Sequence, residues 1–123
     1  MDHHHSEASC KEATLVIDSD LNGNQQAFNP AELLLASLAA CILKNIERIA
    51  PILKFEFDSI AIDIKGARQE SPPKMQKIDY IVRIETQESD KRLALLQTNI
   101  EKYGTIYNTL KKSTELTGRI ERC

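Results

Sequence analysis

The sequence predicts an α+β fold, antiparallel strands with helices gathered on one side. Three observations carry this. An apolar helical pattern runs from Pro30 to about Ala50. Two alternating segments, Phe55–Gly66 and Lys77–Thr86, flank a Pro72-Pro73 connection. A second helical periodicity, Leu93, Leu96, Ile100 and Tyr103, precedes a last strand-like segment. The order is β-α-β-β-α-α-β.

Ala13–Leu21 opens the order as a strand rich in β-branched and aliphatic residues, closed by the turn signal Asn22-Gly23. Asn29 caps the long helix and Pro30 takes its first position, where a missing N–H costs nothing; Pro51 ends or kinks it. The first half of this helix is apolar nearly all round, and its second half, with Lys44, Glu47 and Arg48, becomes amphipathic. A helix of that kind in a short chain needs covering on more than one side, which predicts a homodimer. Phe55, Phe57, Ile60, Ile62 and Ile64 alternate with polar residues, with one slip near Ser59, and Ile78, Tyr80, Val82 and Ile84 do the same, so the two segments form an antiparallel hairpin. Ser89 or Asp90 caps the next helix, Gly104 stops it, Thr105 caps a short further helix, and Glu115–Arg122 closes the fold. The expected organisation is a flexible or tag-like segment over residues 1–12 and one domain over 13–123.

Composition excludes several functions. With 16 basic and 18 acidic residues spread along 123 and a net charge of −2, the chain offers no basic stripe for nucleic acid and no polybasic membrane patch. The uncharged stretch Leu33–Leu43 is far shorter than the ~20 residues that span a bilayer. The expectation is a cytoplasmic protein with no nucleic-acid or membrane partner. All three histidines stand at His3-His4-His5, as in a tag remnant, so histidine-based nucleophilic catalysis and an imidazole-held metal are not expected. The four glycines are too dispersed for a phosphate loop, and neither metal nor cofactor is expected.

Cysteines at 10, 41 and 123 are odd in number and lack a CxxC, which argues for reduced thiols. Cys41 lies inside the apolar helix run. A buried cysteine is ordinarily a small hydrophobe, so a plain core residue stands beside any reactive role.

The run Asn29-Pro30-Ala31-Glu32-Leu33-Leu34-Leu35-Ala36-Ser37-Leu38-Ala39-Ala40-Cys41 resembles the helix motif of the OsmC/Ohr family, NPxELLLAALAAC, and the element order matches from about Ala13 to Arg122. The resemblance implies an OsmC-like, intertwined dimer with antiparallel sheets wrapped around central helices. It also implies thiol-dependent reduction of organic hydroperoxides. A thiolate at Cys41 becomes a sulfenic acid, which a second thiol resolves. Departures accompany it. The family's second cysteine opens a stretch that here reads KYGTIYNTL, with Gly104 and Thr105 at the Cys and Pro positions, and no arginine precedes Arg48 to match the family's N-terminal one. Ala31 and Glu32 stand where the organic-hydroperoxide branch has Glu and Gln, which resembles the broader OsmC-like branch.

On that footing the candidate catalytic residues are Cys41 and Glu32, and the resemblance places Tyr107, Thr105 and Asn108 on the substrate-binding wall. Tyr103, at i−4 from Tyr107, reads as packing. Lys44 and Arg48 share the helical face of Cys41 and are the local cations able to favour its thiolate, although a solvated last turn gives the same pattern. Glu32 precedes Cys41 by nine residues, about 900° of rotation and about 13 Å of rise, so the two point to opposite faces. If both serve one site, Glu32 reaches Cys41 of the partner subunit; otherwise it is a favourable charge in the first turn. Organic hydroperoxide and an external thiol reductant are the expected partners. The alternative is a non-enzymatic dimer that binds a small apolar or electrophilic ligand between subunits. Cys10 and Cys123 should behave as ordinary thiols, and a Gly104→Cys thiol should bond to Cys41 unless a left-handed backbone at Gly104 opposes it.

Overall fold

The structure, a computed structural model, describes residues 6–123. The histidines at 3–5 lie outside the described residues. Its elements are β1 (Ser6–Cys10), β2 (Ala13–Ile17), α1 (Pro30–Leu53), β3 (Ser59–Glu70), β4 (Pro73–Glu85), α2 (Asp90–Tyr103), α3 (Thr105–Leu110) and β5 (Glu115–Arg122). Contacts divide the chain into two compact units, the first ending at Ala36 and the second Ser37–Cys123.

In the first unit β1 and β2 form an antiparallel hairpin, Ser6 opposite Ile17 and Cys10 opposite Ala13. β1 reads SEASC, with no β-branched residue, so backbone pairing rather than composition makes it a strand. β2 is shorter than the expected Ala13–Leu21. Asp18 and Asp20 accept from the backbone N–H two residues on, at 3.2 and 2.9 Å, and these Asx turns bend the chain away from the ladder. Gly23 completes the turn at φ +89°. The chain returns through a bridge between Ile17 and Phe28 into the N-terminus of α1.

In the second unit the sheet order is β3-β4-β5. The β3–β4 hairpin is antiparallel, as its alternation predicts. β5 lies parallel to β4, not antiparallel, because α2 and α3 carry the chain back to the starting end. β3 begins later than expected, since Phe55 belongs to the end of α1. There the Phe55 N–H bonds the Ala50 carbonyl at 2.8 Å and the Lys54 N–H bonds that of Pro51 at 3.2 Å, with Lys54 at φ +55°: a Schellman ending with buried Phe55 as its apolar contact. That ending carries the helix through Pro51 to Leu53.

Ile78, Tyr80, Val82 and Ile84 of β4 are buried on one sheet face. α2 covers that face. Its Gln97 donates to the Gly118 carbonyl at 2.6 Å, and its Glu101 accepts from the Tyr80 hydroxyl at 3.1 Å. Arg92 of α2 donates to the carbonyls of Leu53 and Lys54, at 2.5 and 3.1 Å, and so caps α1. Glu88 braces that arginine while accepting from the Glu56 N–H at 2.8 Å, and these bonds hold its carboxyl below the usual range.

Candidate functional site

α1 starts as its sequence predicts. Asn29 Oδ1 accepts from the Glu32 N–H and Glu32 Oε1 accepts from the Asn29 N–H, both at 2.9 Å, a reciprocal capping box. Glu32 therefore has a structural duty in its own chain, with its second oxygen outside that pair.

Leu38, Ile42, Asn45, Ile46 and Ile49 follow one another at helical spacing as the packed face of α1. Cys41 stands beside this face, half-buried, whereas Cys10 and Cys123 are exposed, and all three are free thiols. One turn on from Cys41 is Asn45, which is fully buried. Its Nδ2 donates to the Ile100 carbonyl at 3.3 Å, and its Oδ1 accepts from Arg48. Arg48 is thus not simply a solvated charge: its guanidinium is tied to the α1 face that carries Cys41.

Opposite Asn45 lies Gly104, where α2 gives way to α3. A Cβ on Gly104 would stand 3.0 Å from Tyr107 Cβ, 3.1 Å from Asn45 Nδ2 and 3.2 Å from the Ile100 carbonyl oxygen. Its φ is −75°, so the left-handed backbone considered for it is absent; a side chain there is opposed by crowding instead. Gly104, not Thr105, is the N-cap of α3, and it has no side chain to bond the first turn. Thr105 is exposed on that first turn. Tyr107 is buried next to Gly104, and burial, followed by the charge of Glu101, pushes its phenol up. Asn108 donates to the Lys102 carbonyl at 3.1 Å, and its Oδ1 is buried without a hydrogen-bond partner in the chain.

A cavity of about 770 Å³ opens elsewhere, at the C-terminal end of α1, between Glu47, Pro51, Phe55, Phe57 and Glu88. Among the described residues no group of three His, Cys, Asp or Glu side chains could hold a metal, and no helix is long and apolar enough to cross a membrane.

The family profile described as OsmC-like protein matches residues 23–118. The chain belongs to the OsmC-like family. Solved structures repeat the fold at low identity. An OsmC-like protein from Mycoplasma pneumoniae superposes at a TM-score of 0.86 with 17% identity, over 96% of this chain and 88% of that one. An organic hydroperoxide resistance protein OsmC from Legionella pneumophila gives 0.71 and 16%, over 95% and 94%. The organic hydroperoxide resistance protein OhrB of Bacillus subtilis gives 0.65 and 15%, over 95% and 97%. No curated protein matches the chain in sequence.

Within this OsmC-like frame, the α2–α3 junction does approach α1 one turn from Cys41. Asn45 was not singled out from the sequence, because one polar residue in an apolar helix carries no role by itself. Its signal was its place at i+4 from the thiol and i−3 from Arg48.

Proposed function

We propose that this OsmC-like protein is a cytoplasmic, homodimeric thiol peroxidase that reduces organic hydroperoxides through Cys41 and takes its electrons from an external thiol. The observation that carries the reading is the place of Cys41. It is the one cysteine of three inside residues 23–118, half-buried on α1 one turn from the α2–α3 junction. The domain acting here is residues 13–123.

The Cys41 thiolate attacks a peroxide oxygen; the S–O bond forms, the O–O bond breaks, and the alkoxide leaves and takes a proton to become the alcohol. The sulfur, oxidised by two electrons, is a sulfenic acid. No cysteine stands at Gly104 to trap it, so a small-molecule thiol condenses with it, releasing water and giving a mixed disulfide. A second thiol frees Cys41 and departs as the oxidised disulfide. Tyr107, Thr105 and Asn108 form the substrate wall. Support comes from the buried ring of Tyr107 beside Gly104 and from the unused Oδ1 of Asn108, which suits a donor from outside the chain. Glu32 serves Cys41 of the partner subunit.

The dimer is supported by apolar surface. Leu15, Val16 and Phe28 are 47%, 37% and 50% exposed and Leu21 fully so, all in the hairpin unit, and a lone two-stranded hairpin is marginal in water.

The test follows tert-butyl hydroperoxide loss with dithiothreitol as reductant and maps oxidation by mass. Wild type should consume peroxide in step with the thiol, Cys41→Ser should lose nearly all turnover, and Cys10→Ser and Cys123→Ser should keep it. A folded wild type that leaves peroxide untouched, or that oxidises Cys10 or Cys123 first while Cys41 stays reduced, overturns the reading in favour of a non-enzymatic dimer.

A further inference from the structure

Asn45 is the sole polar side chain among the buried residues of α1, and the chemistry above leaves it without a task. A buried amide is costly unless both of its ends are bonded. The Ile100 carbonyl can only accept, so it takes Nδ2; the Arg48 guanidinium can only donate, so it meets Oδ1. The two partners demand the same orientation of the amide, which fixes it.

The consequence falls on Arg48. Asn45 precedes it by three residues, so the bond folds the arginine back along the helix, toward the turn of Cys41. Cys41 and Arg48 are seven residues apart, about 700° of rotation, which leaves them within about 20° of each other around the axis. Without the amide, an exposed arginine at this position spreads over many rotamers in water. Gly104 makes the arrangement possible, since any side chain there presses on Nδ2.

We propose that Asn45 is a positioning residue that holds Arg48 folded back toward Cys41, so that the guanidinium is the cation beside the thiolate. The proposal rests on the reading of Cys41 as the reactive thiol and deepens it. Other titratable groups on the elements meeting here are Lys44 and Glu47 on α1, Tyr107 on α3, and Glu101 and Lys102 on α2. Glu101 is engaged by Tyr80 and Gln97, and burial keeps Tyr107 neutral.

The experiment is the rate of Cys41 alkylation by iodoacetamide between pH 5 and 10 on the reduced full chain, read by mass mapping. It needs no peroxide. Arg48→Gln should move the profile to higher pH by about one unit, the usual scale for a neighbouring charge, and slow alkylation at pH 7 several-fold. Asn45→Ser should move it in the same direction, and the double variant no further than Arg48→Gln alone. Should Asn45→Ser fail to fold, Gly104→Ala displaces the same amide and must shift the profile likewise. An unmoved profile in folded Arg48→Gln overturns the proposal, as does a wild-type profile in the Asn45 or Gly104 variant. A shifted profile in a protein that consumes no hydroperoxide sinks only the peroxidase reading; turnover with an unmoved profile sinks only the role of Asn45.

Discussion

At Gly118 a single missing methyl group decides how the sheet meets α2. A Cβ there would lie 2.1 Å from Tyr80 Cε1, its register partner on β4, so glycine is what lets the ring close over β5. That ring carries its hydroxyl to Glu101, and burial together with the carboxylate holds the phenol far above its ordinary range. Gly118→Ala should therefore destabilise the protein by about 1–3 kcal/mol or more, the scale of overpacking, read as a lower urea midpoint with an unchanged slope. A midpoint equal to wild type would mean that Tyr80 has another place to go. Nothing in the local sequence marks Gly118, because the contact that requires it comes from a residue 38 positions earlier.

Among elements, α1 was the most legible. Asn29, Pro30 and Glu32 announce its start through short-range chemistry, and the capping box forms as that spacing allows. Its end was less so: Pro51 is a local stop signal, overridden by the burial of Phe55 and the cap from Arg92. Asn29→Ala removes the acceptor of the Glu32 N–H and should cost about 1 kcal/mol. Glu32→Gln separates two roles, because glutamine can make the same reciprocal bond. Its melting temperature should stay near wild type while hydroperoxide turnover falls several-fold. Unchanged turnover would reduce Glu32 to a helix cap.

At the scale of the molecule, the packed face of α1 runs only from Leu38 to Ala50, and Leu33, Leu34 and Leu35 remain half-buried. A second copy is the expected cover. Light scattering at micromolar concentration should give twice the chain mass, and Leu21→Asp with Phe28→Asp should shift it toward the monomer and abolish turnover with it. A well-folded, active wild-type monomer would remove Glu32 from the site of the partner subunit.

By itself the sequence determined the fold class, the α1 start, the β3–β4 hairpin and the register of Cys41, since capping, alternation and turn chemistry act over a few residues. Only the tertiary structure decided that β5 runs parallel to β4, that Ser6–Cys10 is a strand, and that Asn45 joins Arg48 to the Ile100 carbonyl. Each of these depends on groups far apart in the chain. A backbone pairing or a buried amide has no periodicity of its own and is defined by what folding brings against it.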